Sequence, residues 1–269
     1  MPAGLRVLGI FPHPDDESYS CGGTLSRLAA DGAAVHVLCA TSGEGGQYLR
    51  EGAPPADIGT VRRGELACAC QALGIEPPRF LGLPDGRVGE VDFVAAAGAI
   101  VRELRLLRPH LVLSLGSDGV YGHPDHLALH RLVVASFAAA GGGERFPEEQ
   151  FGPAWQPYRF FAAAFPRGMF RPMYDHMLSS EYTTAIRGLD PEKLGVEPAE
   201  VAAAIDIHAF AERKLQAIRC HASQLRGGDP ETLFPGDLVR RTLSFELFTL
   251  VFGESVPHRL ADLAEGVPV

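Results

Sequence analysis

The chain lacks both a long apolar run and a cluster of basic residues. A membrane-spanning helix needs about 20 consecutive apolar residues, so no membrane partner is expected. Proteins that bind nucleic acids are usually basic or carry a basic stripe, whereas this chain has a formal net charge of -9. Its first residues run straight into an apolar strand pattern without the features of a signal peptide. These absences together predict a cytoplasmic protein without a membrane or nucleic-acid partner.

Cysteine is scarce and irregularly spaced. The five cysteines show no Cys-x-x-Cys pair, which argues against a thiolate zinc site. Most of them lie in apolar or helix-like segments, where reduced cysteines that pack in the interior are the ordinary expectation.

What the chain does have is an alternation of strand-like and helix-like segments. Its 269 residues suit a single α/β domain, with a core half over residues 1–143 and a less regular half, residues 144–269, that shapes the pocket. The pattern predicts a Rossmann-like, doubly wound, mostly parallel sheet with an irregular C-terminal extension. The predicted strands are residues 5–11, 34–40, 79–83, 111–115, 158–165 and 246–252. The predicted helices are residues 17–30, 60–73, 91–107, 127–140 and 210–225. Residues 167–198 are poorly periodic, and their role is open between a lid and a subunit contact.

Two histidine-carboxylate clusters stand where a predicted strand gives way to a helix. The first is His-Pro-Asp-Asp-Glu at residues 13–17, and the second is Tyr-Gly-His-Pro-Asp-His at residues 121–126. A parallel sheet brings such junctions together at the carboxyl ends of its strands. The clusters are therefore predicted to meet.

Their residue types suit a divalent transition metal. His13 and Asp16 are three positions apart, so both side chains can reach one point, and imidazole with carboxylate suits zinc, iron or manganese. A catalytic zinc keeps three protein ligands and an open position for water. His126 is the natural third ligand, Asp15 is placed to hold the water, and His123 falls on the substrate side. The alternative is that both clusters are only helix N-termini, where acidic residues favour the helix dipole.

These motifs resemble the LmbE/PIG-L family of zinc-dependent N-acetylglucosaminyl deacetylases, which includes deacetylases and amidases of mycothiol and bacillithiol metabolism. Supporting matches are Thr-Ser-Gly-Glu at 41–44, Arg-Arg-Gly-Glu at 62–65, Leu-Pro-Asp-Gly at 83–86 and His-Ala-Ser-Gln at 221–224. The resemblance is good to about residue 140 and thin beyond it.

The resemblance implies a role for each cluster residue. It implies a zinc ion, with Fe²⁺ or another divalent metal as the alternative, bound by His13, Asp16 and His126. It also implies four catalytic residues. By this resemblance Asp15 is the general base, and His123 is the acid or the oxyanion donor. Asp125 sets the tautomer and charge of His123, and Tyr121 polarises the amide carbonyl.

The resemblance also suggests contacts with a sugar substrate from Glu44, Arg62 and Asp85, and His221 on a late helix is a further candidate. Each has a plain alternative: solvated charge for Glu44, a surface ion pair for Arg62, a satisfied turn for Asp85, and a structural histidine for His221. The expected reaction is removal of an N-acetyl group from a small N-acetylglucosamine-containing molecule, and assembly into a homo-oligomer is left open.

Three other functions compete with this reaction. A thiol-conjugate amidase would use the same metal chemistry with a different pocket. A nucleotide-binding module would need a glycine-rich first turn, whereas this first turn is acidic and contains two prolines. A metal-binding scaffold without activity would have no use for Asp15, His123 and Tyr121 beside the ligands.

Overall fold

A computed structural model of the chain describes residues 4–179, 189–225, 243–254 and 258–269. Its strands form one sheet in the order β3-β2-β1-β4-β5-β7-β6. The strands are β1 (Arg6–Phe11), β2 (Ala34–Cys39), β3 (Arg79–Phe80), β4 (Leu111–Leu115), β5 (Arg159–Ala164), β6 (Ala203–Asp206) and β7 (Phe245–Phe252). The helices are α1 (Asp16–Ala30), α2 (Ile58–Leu73), α3 (Phe93–Leu107), α4 (Gly119–Gly122), α5 (Pro124–Ala139), α6 (Glu148–Phe151), α7 (Phe170–Ser179) and α8 (Ala211–Cys220).

The sheet is mixed, because β1 to β5 are parallel and β7 runs antiparallel between β5 and β6. Every residue of β4 and β5 is buried, as expected for strands covered on both faces. Apolar side chains of α1 and α2 pack on one face, and those of α3 and α5 pack on the other. The predicted Rossmann-like α/β class is confirmed, and strands from both predicted halves share the one sheet.

Helix α2 begins earlier than predicted. The predicted start was Thr60, but Asp57 is the N-cap: its carboxylate accepts a hydrogen bond from the Thr60 backbone N–H at 3.0 Å. Asp is among the preferred N-cap residues because its side-chain oxygen satisfies a free backbone donor. The helix ends as predicted at Gly74, whose φ of 74° is the left-handed conformation that glycine adopts without strain.

Strand β6 was not predicted. Its four residues pair antiparallel with β7, from Ala203 opposite Phe248 to Asp206 opposite Phe245. The segment is too short and too rich in alanine to show a clear alternation, so pairing with β7 decides its conformation.

The expectation of mostly reduced, packed cysteines was wrong for Cys68 and Cys220. Cys68 of α2 and Cys220 of α8 form a disulfide with 5.7 Å between their Cα atoms. The two helices pack side by side and bring together residues that are 152 positions apart. Cys21, Cys39 and Cys70 are free and buried, as expected.

Part of the segment 167–198 lies outside the described residues, namely 180–188. Its described part contains α7 and a bridge between Pro166 and Val196, and its role as a lid or a subunit contact stays a prediction. In the described ranges, every helix is too short or too polar to cross a lipid bilayer.

Candidate active site

The two histidine clusters meet at the carboxyl edge of the sheet. β1 leads into the first cluster and β4 into the second, and these strands are parallel neighbours. They lie where the strand order changes direction, the place where open α/β sheets form binding crevices. The ring centroid of His13 lies 4.9 Å from that of His123 and 5.2 Å from that of His126. The predicted meeting of the clusters is therefore observed.

His13 lies among three carboxylates. Its Nδ1 is 3.2 Å from Asp16 Oδ2, and its Nε2 is 3.1 Å from Asp85 Oδ1 and 3.2 Å from Asp125 Oδ2. Burial opposes a charge on this ring, but hydrogen bonds to Asp125, Asp16 and Asp85 outweigh burial and raise the pKa of His13 well above its usual value. The site therefore concentrates negative charge around one imidazole.

His126 has one ring nitrogen held by the backbone and one left for a ligand. Its Nδ1 lies 3.1 Å from the Gly119 carbonyl oxygen, so Nδ1 donates there and Nε2 carries the lone pair. Nε2 is buried, lies 3.5 Å from Asp16 Oδ2, and receives no hydrogen bond from any described residue. Burial lowers the pKa of His126, which keeps that lone pair unprotonated.

These atoms fit a divalent metal. Ligand atoms of His13, His123 and His126 all lie within 4.8 Å of one another, and the same holds for His13, Asp85 and Asp125. Asp16 Oδ2 lies between His13 and His126. Burial would raise the pKa of Asp16, but the charges of His126 and His13 and the hydrogen bonds from His13 lower it strongly, so its carboxylate is ionised. A buried imidazole lone pair beside an ionised carboxylate is the donor set that zinc and iron prefer.

Asp15 has an unusual backbone and a shifted titration. Its φ is 124°, in a region that non-glycine residues rarely adopt. Arg62 Nη2 donates to Asp15 Oδ2 at 3.1 Å and to the Pro14 carbonyl at 2.6 Å. Burial raises the pKa of Asp15 to about 6, although the nearby guanidinium opposes the rise. The carboxylate therefore titrates close to neutral pH.

Asp125 has a different partner from the one implied by the resemblance. Its carboxylate accepts hydrogen bonds from the Gly86 and Val88 backbone N–H groups at 2.7 and 3.0 Å and contacts His13. The carboxylate of Asp125 therefore contacts His13, whereas its backbone N–H contacts His123.

The tautomer of His123 is set by the start of α5. Its Nδ1 accepts the Asp125 backbone N–H at 3.2 Å, so the neutral ring carries its proton on Nε2. Burial and the charges of His126 and His13 lower the pKa of His123. Tyr121 lies beside it, with 5.9 Å between the two ring centroids. Burial raises the pKa of the Tyr121 phenol, so its hydroxyl remains a donor.

The four predicted substrate contacts divide into two groups. Glu44 and Asp85 lie on linked loops above the sheet: Glu44 Oε1 accepts the Asp85 backbone N–H at 2.9 Å, and Asp85 Oδ2 accepts the Gly45 backbone N–H at 2.8 Å. Arg62 and His221 are buried, with 4% and 0% of their surfaces exposed. Arg62 contacts Asp15 and His221 contacts Glu17, and contact of either residue with a substrate stays a prediction.

Glu17 is a site residue that sequence reasoning missed. It was interpreted only as part of an acidic helix start, yet it is fully buried and bonded to both Asp15 and His221. Its partner His221 lies 204 positions away in the chain, and no local pattern reports such a contact. The available signal was a fourth polar residue, placed directly after Asp16 in a turn that already holds His13, Asp15 and Asp16.

Comparisons with known proteins agree with this geometry. The sequence profile described as GlcNAc-PI de-N-acetylase (PIG-L) matches residues 8–137, which contain both clusters. The chain is 32% identical to the 1D-myo-inositol 2-acetamido-2-deoxy-alpha-D-glucopyranoside deacetylase of Thermobispora bispora, over 98% of this chain and 93% of that one. It is 35% identical to the protein of the same name from Rhodococcus opacus, over 92% of each. A crystal structure of a conserved protein from Thermus thermophilus superposes with a TM-score of 0.66 at 26% identity, covering 96% of this chain and 100% of that one. The chain belongs to the PIG-L family of de-N-acetylases.

Proposed function

We propose that this protein is a metal-dependent deacetylase that removes the acetyl group from a small N-acetylglucosamine-containing molecule. One observation carries the proposal: His13, Asp16 and His126 converge at the crevice of the sheet, with Asp15 and His123 beside them. Amide hydrolysis needs an activated water, a polarised carbonyl and a proton donor for the departing nitrogen. This group of side chains supports all three requirements.

The metal ligands in this proposal are His13, Asp16 and His126. Asp125 contacts His13 and the Gly119 carbonyl contacts His126, which are the outer contacts that orient metal-binding histidines. A divalent ion bound there supplies Lewis-acid chemistry, because it polarises a carbonyl oxygen and lowers the pKa of water. Zinc is the proposed ion, and Fe²⁺ is the alternative with the same preference for imidazole and carboxylate.

The side chains around the ligands move the protons. Asp15 accepts the proton of the attacking water, and its pKa of about 6 suits a base that works near neutral pH. Asp15 then passes that proton to the amine as the C–N bond breaks, while the neutral His123 donates a hydrogen bond from its Nε2–H to the developing oxyanion. Tyr121 keeps its hydroxyl proton and donates a hydrogen bond to the carbonyl oxygen, where negative charge develops.

For the substrate we propose an N-acetylglucosaminyl inositol first, because the relatives that match over the whole chain are named for that compound. Glu44 and Asp85 are the proposed contacts for sugar hydroxyls, because both carboxylates lie on loops that border the site. Arg62 contributes by holding the Asp15 turn, and its contact with a sugar stays a prediction.

A cytoplasmic location is part of the proposal. The Cys68–Cys220 disulfide argues against that location, because disulfides are rare in reducing compartments. Homo-oligomerisation likewise stays a prediction.

The test is a hydrolysis assay on purified protein loaded with Zn²⁺ or, anaerobically, with Fe²⁺. Substrates are N-acetylglucosaminyl inositol, N-acetylglucosaminyl malate and an N-acetylglucosaminyl thiol conjugate, and both free amine and free acetate are quantified. We expect equal amounts of amine and acetate from the inositol compound, and no reaction with His126→Ala. Absence of acetate from every substrate and metal would contradict the deacetylase proposal. Cleavage of only the thiol conjugate, without acetate release, would favour the amidase.

A further inference from the structure

We propose that Glu17 and His221 form a buried pair that positions Asp15, and that neither residue touches the substrate. The part of this inference that concerns catalysis rests on the proposed function. The part that concerns the backbone of Asp15 does not depend on any activity.

The backbone of Asp15 needs external support. A non-glycine residue at φ 124° and ψ -31° lies outside the favoured regions, and such a conformation costs about 1–3 kcal/mol. Residues of this kind persist only where the surroundings hold them. If Asp15 relaxed to an ordinary helix start, its carboxylate would change its position relative to Arg62 and to the proposed metal ligands. The question is therefore which groups hold the turn.

Two side chains hold it from opposite ends of the residue. Glu17 Oε2 accepts the backbone N–H of Asp15 at 3.0 Å. Arg62 donates to the Asp15 carboxylate and to the carbonyl of Pro14. Glu17 therefore fixes the backbone of Asp15, and Arg62 fixes its carboxylate.

Glu17 in turn needs a partner of its own. It is fully buried, and a buried carboxylate without a partner costs several kcal/mol. His221 Nε2 lies 2.9 Å from Glu17 Oε1, and Ser18 Oγ donates to the same oxygen at 2.5 Å. Burial alone would lower the pKa of His221, but the charge of Glu17 and the hydrogen bond to it outweigh burial and raise that pKa. The pair therefore holds the Glu17 carboxylate in place.

Arg62, which contacts Asp15, and His221, which contacts Glu17, belong to segments that a disulfide joins. Arg62 lies on α2, His221 directly follows α8, and the Cys68–Cys220 disulfide links these helices one residue before His221. The disulfide therefore keeps α2 and the C-terminal end of α8 next to each other.

Glu246 provides a matched control. It is also buried, it accepts hydrogen bonds from the α1 backbone at Gly23 and Thr24 (2.9 and 2.7 Å), and it pairs with Lys214 of α8 at 2.7 Å. Glu246 therefore makes the same kind of contact between the same two helices without touching Asp15. Substitution of Glu246 tests whether loss of stability alone lowers activity.

The kinetic test compares Glu17→Met, Glu17→Gln and Glu246→Gln as metal-loaded proteins. Glu17→Met removes the acceptor for Asp15, and we expect kcat to fall about 100-fold with KM within about threefold, the size of effect that a small misplacement of a reacting group causes. Glu17→Gln can still accept the Asp15 N–H through its amide oxygen, so it should restore kcat to within about tenfold of wild type. Glu246→Gln should lower the melting temperature and leave kcat unchanged. Equal kcat in wild type and Glu17→Met, or an equal loss in Glu246→Gln, would overturn the positioning role.

A second measurement needs no activity. In metal-free wild-type protein, we expect the Asp15 backbone amide to be protected from hydrogen exchange, and we expect this protection to be lost in Glu17→Met and kept in Glu17→Gln. An Asp15 amide that exchanges freely in the wild type would overturn the inference even if no variant folds. A wild type that releases no acetate but shows the protected amide would contradict the proposed function. It would still support the proposal that Glu17 holds the Asp15 backbone.

Discussion

Replacing Asp15 with asparagine should stabilise the metal-free protein while it abolishes most of the activity. Asparagine has nearly the same shape, tolerates positive φ better than most residues, and can still accept a hydrogen bond from Arg62. It cannot ionise, so it escapes the cost of placing a carboxylate in this buried turn. It also cannot accept a proton, and a general base is typically worth about 10²–10⁴-fold in rate.

The size of the stabilisation follows from the pKa of Asp15. Burial raises that pKa from 3.8 to about 6, and a difference of this size corresponds to about 3 kcal/mol. The folded state holds the proton more tightly than the unfolded state, so the destabilisation is absent below pH 3.8, grows as the pH rises to about 6, and is complete above that. The free energy of unfolding of Asp15→Asn should therefore exceed that of wild type by about 3 kcal/mol at pH 8 and by about half as much at pH 5.

The assay is urea denaturation of both proteins after treatment with a chelator, at pH 5, 6.5 and 8. Asp57→Asn is the control, because Asp57 is an exposed N-cap whose pKa is lowered by hydrogen bonds from Thr60. Asp57 is ionised in both states over this range, so its replacement should cause no pH-dependent difference. If Asp15→Asn is less stable than wild type at pH 8, the guanidinium of Arg62 outweighs burial and the argument fails.

Three further predictions follow from the same contacts. His126→Ala should bind less than one-tenth of the wild-type metal in elemental analysis after dialysis, and equal content would remove His126 from the ligand set. Cys68→Ser should lower the free energy of unfolding by about 2–5 kcal/mol, because the bond closes a long loop; an unchanged urea midpoint, with the bond verified by mass spectrometry in wild type, would contradict this. Arg105→Met should cost about 3 kcal/mol or more, because the buried guanidinium donates to four backbone carbonyls that would lose their partner. If Arg105→Met changes stability by close to zero in thermal or urea melts, water replaces the guanidinium as the donor to these carbonyls.

The fold could be predicted as far as local patterns reach. The strand at 111–115 was predicted with the bounds that the structure has, and β1 and β2 differ from prediction by one residue at one end. Each is an apolar run bounded by turn residues, which is a strong local signal. The segment 203–206 carries no such signal, because its partner β7 lies far along the chain. Only tertiary pairing makes it a strand.

The candidate site likewise has features that local sequence predicts and features that depend on tertiary packing. The meeting of His13 with His126 could be predicted because both follow parallel strands. The orientation of Asp125 toward His13 could not, because it depends on backbone donors of the 86–88 turn. The burial of His221 likewise depends on how α8 packs against α1. Residue type and spacing indicate the chemistry, whereas the partner of each side chain depends on packing.

The position of β7 between β5 and β6 has a consequence for the order of events during synthesis. Domains generally begin to fold from the N-terminal side as the chain leaves the ribosome. β1 to β5 are neighbours in the sheet and can pair as they are made, but the outer edge of β5 must wait for residues 245–252. The three proposed metal ligands are all made by residue 126, whereas His221, the proposed partner of Glu17, comes much later. If these proposals hold, a nascent chain has all its metal ligands before the groups that hold Asp15 are made, so that it can bind metal before it can catalyse the reaction.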